Sequence, residues 1–127
     1  MNFAEYKSVI EDFNTTVTDW LKANKLQGLP EYHKLQDKET LGVCYRHDQI
    51  YYEQLTEYKS TYFALSAFLT NQLLEADRET KRNIETLIDT INIKVKALDT
   101  KIEAGKKRLD FYKTIVYLIG NVIYGAD

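Results

Sequence analysis

The sequence predicts an all-α protein: a long antiparallel helical hairpin with a shorter N-terminal helix, in a coiled-coil-like three-helix arrangement. Its 127 residues include one Pro and five Gly, so there is little material for tight turns or flexible linkers. Apolar residues also recur at alternating spacings of three and four along most of the chain, which is typical of helices with one buried stripe. A chain of this length favours a single helical domain, residues 1–127.

The first helix is predicted over about residues 2–27. Its apolar stripe consists of Phe3, Tyr6, Ile10, Phe13, Val17 and Trp20. The sequence QGLPE follows, in which Gly28 suits the end of one helix and Pro30 suits the first turn of the next. We therefore expect a second helix to begin near residue 31.

The second and third helices are predicted over about residues 31–77 and 79–124. The second stripe consists of Leu41, Cys44, Asp48, Tyr51, Leu55, Tyr58, Tyr62, Leu65, Leu69, Gln72 and Ala76. The third consists of Ile84, Ile88, Ile91, Val95, Leu98, Ile102, Gly105, Leu109, Tyr112, Val116, Ile119 and Ile123. Two polar members of the second stripe, Asp48 and Gln72, either fix the register of the helices or face water, and we expect them to face water.

The two stripes are out of phase, because Ala76 and Ile84 are eight residues apart where the pattern requires seven. Either one continuous helix accommodates an extra residue, or the chain reverses within residues 77–83. We favour reversal, since two arms of nearly equal length can cover each other's apolar stripes in a helical hairpin.

The end of the third helix is apolar on nearly all sides, and a helix of this kind must be covered on all sides. We therefore predict self-association through Phe111, Tyr112, Ile115, Val116, Leu118, Ile119, Val122 and Ile123. Only about 14 residues follow Lys113, too few for the roughly 20 apolar residues of a membrane span. A helix lying on a membrane surface is an alternative, since Lys106, Lys107 and Arg108 would attract anionic lipid.

The composition argues against an enzyme. The net charge is −2, and the single Cys44 excludes an intramolecular disulfide and favours a cytoplasmic protein. Cys44, His47 and Asp48 share one helix face, but a metal site would need a further ligand. No Gly-rich phosphate loop is present. The sequence therefore predicts no catalytic residue, no metal and no cofactor.

Five tyrosines between residues 45 and 62 suit half-wet interfaces, and they would also stack on single-stranded bases. The candidate contacts to nucleic acid or to another anionic partner are Arg46, Tyr51, Tyr52, Lys106, Lys107 and Arg108. Nucleic acid is thus a candidate partner, although the net negative charge does not favour phosphate binding.

Several features appear in an order that resembles the recombination-mediator family of T4-like phages. They are Trp20-Leu21, Arg46, the pair Tyr51-Tyr52, Asp99-Thr100 and Leu109-Asp110-Phe111. The resemblance implies a ring-forming helical protein that binds single-stranded DNA and loads a recombinase, with Arg46 in the DNA-contacting region.

From the residues themselves we predict a non-enzymatic, self-associating scaffold or adaptor whose partners are itself and another protein. The alternatives are an oligomeric recombination mediator that binds single-stranded DNA and a peripheral membrane-surface protein. The apolar stripes would hold the helices together, and the charged or Tyr-rich faces would contact the partner.

Overall fold

The computed structural model describes the backbone of residues 2–124 and the side chains of residues 2–120. It contains four helices, α1 (Phe3–Ala23), α2 (Tyr32–Leu35), α3 (Lys38–Gln72) and α4 (Arg78–Tyr124). No strand occurs in the described part of the chain. The long helices α3 and α4 pack against each other in opposite directions, which confirms the predicted all-α hairpin with a shorter N-terminal helix.

The reversal between α3 and α4 lies over residues 73–77, slightly earlier than the predicted 77–83. Asp77 sets the start of α4, because its carboxylate accepts a hydrogen bond from the backbone N–H of Thr80 at 2.7 Å. This N-cap satisfies a donor that has no partner within the helix. The hydrogen bonds from Thr80 lower the pKa of Asp77.

An N-cap of the same kind divides the second predicted helix into two. The carboxylate of Asp37 accepts hydrogen bonds from the backbone N–H of Thr40 at 3.1 Å and from its hydroxyl at 2.9 Å. These bonds lower the pKa of Asp37. The region 31–77 is therefore a short α2, a break at residues 36–37, and α3. Both long helices thus begin with nearly the same four residues, DKET and DRET.

The chain divides into two compact units, and the helices α3 and α4 contribute to both. One unit, here called the turn unit, comprises Met1–Lys25 and Thr56–Thr100. The other, here called the tail unit, comprises Leu26–Leu55 and Lys101–Asp127. Each unit is described separately below.

The turn unit is a three-helix arrangement in which α1 lies along α3. Edge-to-face ring contacts join the two helices at Tyr6–Phe68 (5.3 Å between ring centres), Phe13–Tyr62 (4.7 Å) and Trp20–Tyr58 (5.8 Å). Its buried apolar residues are Ile10, Val17, Tyr62, Leu69, Ile84, Leu87, Ile91, Val95 and Leu98. Nearly all of them belong to the predicted stripes, so the periodicity identified this core correctly.

The tail unit has a core cluster of Leu35, Leu41, Leu109, Tyr112 and Ile115, and Tyr51 and Leu55 of α3 are also buried in this unit. Cys44, Tyr45, Tyr52 and Ile119 pack against this core and are partly buried. Helix α2 supplies Leu35, so the third layer here is a single helical turn. A strip of α4 is consequently left without a covering element.

The predicted stripe of α4 is wrong in the last turns. Val116 was expected to be buried but is 57% exposed, whereas its neighbour Ile115 is 1% exposed. Ile115 shares the core with Leu35 of α2, and Arg108, on the same side of α4, contacts the 24–31 connection at Gln27. The connection and α2 therefore cover one flank of α4, and Val116 lies on the other.

Candidate interaction site

Asp48 of α3 is buried in the tail unit, which contradicts the expectation that it faces water. It is 1% exposed and lies against two groups of α4. Arg108 donates from Nε to Oδ2 of Asp48 at 2.8 Å, and the Tyr112 hydroxyl donates to the same oxygen at 2.5 Å. The other carboxylate oxygen lies 3.1 Å from Nδ1 of His47. The carboxylate of Asp48 thus joins α3 to α4 through two hydrogen bonds at this level of the tail unit.

Arg108 is fully engaged by this network. Its Nη1 donates to the backbone carbonyl of Gln27 in the 24–31 connection, and its Nη2 donates to the Tyr112 hydroxyl at 3.2 Å. Burial, together with the hydrogen bond that Tyr112 donates to Asp48, raises the pKa of Tyr112 to about 12. The phenol therefore stays neutral and keeps donating to the carboxylate. The network ties α3, α4 and the connection together, and its groups face one another within the protein.

An apolar groove runs along the tail unit between the start of α3 and the end of α4. Its volume is about 580 Å³. Helix α3 supplies Lys38, Leu41, Gly42 and Tyr45, and α4 supplies Lys113, Val116, Ile119 and Gly120. Among the described residues that line it, the two lysines are the only charged ones. A side chain added at Gly42 or Gly120 would meet no atom within 4 Å, so both walls offer open space.

Further apolar side chains lie exposed around the end of α4, and of these Tyr117 is next to the groove. Tyr117 is 67% exposed, Leu118 42% and Phe111 39%. Several exposed apolar side chains on adjacent turns of one helix suggest a binding surface more than a single one does. We refer to Phe111, Val116, Tyr117 and Leu118 as the tail surface.

The structure separates the predicted self-association residues into three groups. Phe111, Val116 and Leu118 are exposed on the tail surface, and Ile119 is a half-buried wall of the groove. Tyr112 and Ile115 are 0% and 1% exposed, so they hold α4 within the tail unit and offer nothing to a second molecule. Val122 and Ile123 lie outside the residues whose side chains are described.

Sequence reasoning missed the contribution of α3 to this surface. Leu41 belongs to the predicted core stripe and does pack in the core, and Tyr45 is one of the tyrosines predicted to suit a half-wet interface, but the apolar pattern does not single out Lys38 or Gly42. Gly42 was the available signal, because a glycine within a helix is unfavourable by about 1 kcal/mol relative to Ala and often marks a close approach.

The candidate nucleic-acid contacts do not form one surface. Tyr51 is 5% exposed and Arg108 is engaged by Asp48, so neither is open to a ligand. Arg46, Lys106 and Lys107 are exposed, and Tyr52 is half-buried with its ring against Gly105 of α4. Only the three cations keep the accessibility that phosphate contact requires.

The possible metal ligands that share one face of α3 are in contact with other groups of the protein. Asp48 is held by Arg108 and Tyr112, and Cys44 packs against the tail-unit core. In the part of the chain that the structure describes, no group of three or more His, Cys, Asp or Glu side chains is placed to hold a metal ion.

Within the described residues, every helix is too short or too polar to cross a membrane. The chain matches no family model, and neither a curated protein nor a solved structure shows significant similarity to it. Function must therefore be argued from the surfaces described above.

Proposed function

We propose that the protein is a non-enzymatic scaffold or adaptor that associates with copies of itself through the end of α4. The observation that supports this proposal is the exposure of the tail-surface residues around the end of α4, together with the groove on one flank of the same helix end. Val116 and Tyr117 are more than half exposed, and Leu118 is not far below. Removing apolar surface from water contributes about 25 cal/mol per Å², so covering these side chains favours association.

Self-association also accounts for the position of this surface. The buried network of Asp48, Arg108 and Tyr112 holds α4 firmly against α3 directly beside the groove. An interface built on such a rigid support loses little conformational entropy when it forms. The tail surface is thus presented by a fixed element and does not have to be ordered on binding.

Light scattering on purified protein tests the proposal. Wild-type protein should have a mass that is a multiple of 14.9 kDa, and Leu118→Asp should shift it towards the single chain. Because Leu118 is already exposed, the substitution leaves the fold of the tail unit intact. Leu74→Asp is the matched control, since Leu74 is 85% exposed in the turn unit and its variant should keep the wild-type mass. A monomeric wild-type chain would contradict the proposal.

A second candidate is an oligomeric recombination mediator that binds single-stranded DNA, as the family resemblance implies. It is favoured by the exposure of Arg46, Lys106 and Lys107, none of which forms a salt bridge among the described residues. Cations that are free of internal partners can displace counterions from phosphates.

Fluorescence anisotropy with a labelled oligonucleotide tests this candidate. Binding should weaken steeply between two salt concentrations, and Arg46→Ala or Lys106→Glu with Lys107→Glu should reduce both the affinity and the salt dependence. Lys34→Glu is a control, because Lys34 is exposed on α2 and was not implicated. Absence of binding at low salt excludes the candidate.

A further inference from the structure

The groove and the exposed ring of Tyr117 lie side by side on the tail unit. Tyr117 follows Lys113 by four residues and precedes Gly120 by three, and both of these residues line the groove. Residues at those spacings share one flank of a helix. Each molecule therefore presents an apolar ring next to an open apolar groove. A surface with a projection and a matching recess is self-complementary under a two-fold axis.

The charges beside these features have matching spacings. On α3, Lys38 and Tyr45 are seven residues apart at the two ends of the groove. On α4, Asp110 and Tyr117 are also seven residues apart and share one face. Seven residues span two helical turns, or roughly 10 Å. When Tyr117 of a second copy lies beside Tyr45, its Asp110 comes beside Lys38.

Both charged groups are available for this contact. Lys38 and Asp110 are exposed, and neither side chain forms a salt bridge among the described residues. The described residues that line the groove carry only positive charge, so an incoming helix with a carboxylate at this position complements them. This complementarity favours a second copy over an uncharged apolar ligand.

The directions of the helices agree with this arrangement. Tyr45 of α3 contacts Tyr112 of α4, with ring centres 6.3 Å apart. Lys38, which is seven residues earlier in α3, lines the groove together with Gly120, which comes later in α4. Helix α3 therefore runs opposite to α4 within the tail unit. A second α4 that follows α3 from Lys38 to Tyr45 must run antiparallel to the first α4, which is the arrangement that a two-fold axis perpendicular to the helices produces.

We propose, building on the self-association proposed above, that the groove receives α4 of a second copy. Tyr117 of each molecule fills the groove of the other, and Asp110 of each pairs with Lys38 of the other. Gly42 and Gly120 allow the close approach, because neither wall carries a side chain at those positions. The interface is reciprocal, so it predicts an even number of chains.

Charge reversal tests the pairing by sedimentation equilibrium of the full chain. Lys38→Glu and Asp110→Lys should each raise the dissociation constant roughly tenfold, since each places like charges opposite one another twice. The double variant should recover most of the affinity. Lys38→Glu places an acidic residue in the first turn of α3, which favours the helix, so the fold should be retained. Lys34→Glu is the control for an unrelated charge change.

Filling the groove provides an independent test. Gly42→Gln puts a long side chain into the open space and should raise the dissociation constant at least tenfold, whereas Gly42→Ala leaves the groove open and should not. Both substitutions favour the helical state of α3, so a loss of association cannot be attributed to unfolding. Tyr117→Ala should act like Gly42→Gln, and Tyr32→Ala, at a tyrosine that is 50% exposed on α2, should not.

The outcomes distinguish this inference from the proposed function. A monomeric wild-type chain overturns both. If the wild-type chain is an oligomer and none of the groove and charge variants raises its dissociation constant, the inference is wrong and the proposed self-association stands. An odd number of chains, or native mass spectrometry that finds a bound small amphiphile in an oligomer unaffected by Gly42→Gln, also overturns the inference.

Discussion

The turn unit and the tail unit use the same two long helices but differ in how completely those helices are covered. In the turn unit, α1 runs along α3 for 21 residues and contributes an aromatic residue at several levels. In the tail unit the corresponding layer is the four-residue α2 and a connection. A short third layer covers one flank of a helix pair and leaves the other open.

The ion pairs of the two units also differ in how deeply they are buried. The turn unit has a half-exposed pair, Lys59–Asp99 at 2.5 Å, at the edge of its helices. The tail unit places its Asp48–Arg108 pair inside, with Asp48 almost completely buried. The unit with less apolar cover therefore has a charge network between its helices, where the cost of disrupting it is high.

The largest effect is expected from removing the buried carboxylate. Asp48→Ala leaves the partly buried Arg108 without its anion and should lower the free energy of unfolding by about 3 kcal/mol. Asp99→Ala breaks the half-exposed pair of the turn unit and should cost about 1 kcal/mol or less. Urea unfolding monitored by circular dichroism measures both. Equal losses would show that the two pairs contribute alike, against the contrast between the units.

An intermediate effect is expected from the two buried tyrosines. Burial raises the pKa of Tyr62, which donates to Asn14, and of Tyr112 to about 12. Because the folded pKa exceeds the ordinary value of 10.0, the stabilisation from the neutral phenols is present below about pH 10 and is lost as the pH rises through about 12. At neutral pH Tyr62→Phe should cost about 1 kcal/mol, and Tyr112→Phe, which removes a hydrogen bond to a charged carboxylate, about 2 kcal/mol.

In each phenylalanine variant, the free energy of unfolding should also depend less on pH in the alkaline range. The absorbance of ionised tyrosine, followed during a titration with base, should lose one late ionisation in each variant. If ionisation in the wild-type chain is complete near pH 10, the two hydroxyls are not buried as described.

The smallest effect is expected at the two N-caps, one in each unit. Hydrogen bonds from Thr40 and Thr80 lower the pKa of Asp37 and Asp77 below 3.8. Their stabilisation is therefore present above about pH 4 and is lost as the pH falls through the lowered values. Asp37→Asn and Asp77→Asn keep an N-cap that does not titrate. Helix content in these variants should depend less on pH in the acid range, and unchanged acid profiles would argue against both caps.

The fold was predictable because its main determinants are local and periodic. The stripes from Leu41 to Leu69 and from Ile84 to Tyr112 identified both long helices and most of the core. The phase break after Ala76 correctly indicated a reversal. The break at residues 36–37 was missed, although DKET carries the same capping residues as DRET, because the apolar pattern alone does not report a cap.

The site was only partly predictable, because burial at the end of α4 depends on which flank α2 covers. Periodicity could not show that Ile115 is buried while Val116 is exposed, since both are apolar and each continues the spacing of three or four after Tyr112. Likewise Asp48 was assigned to water, because its partners Arg108 and Tyr112 are 60 and 64 residues away. Contacts at such separations are not encoded in local spacing.

The long separations in this network affect the order of folding during synthesis. The bond between Arg108 and Gln27 spans 81 residues, so the tail unit cannot close until the ribosome has released most of α4. Synthesis adds about 5–20 residues per second, so the apolar side chains of α2 and early α3 remain without their partners for a time on the order of seconds. During that interval Leu35 and Leu41 are open to chaperones or to another nascent chain, whereas the turn unit can close once residue 100 has emerged.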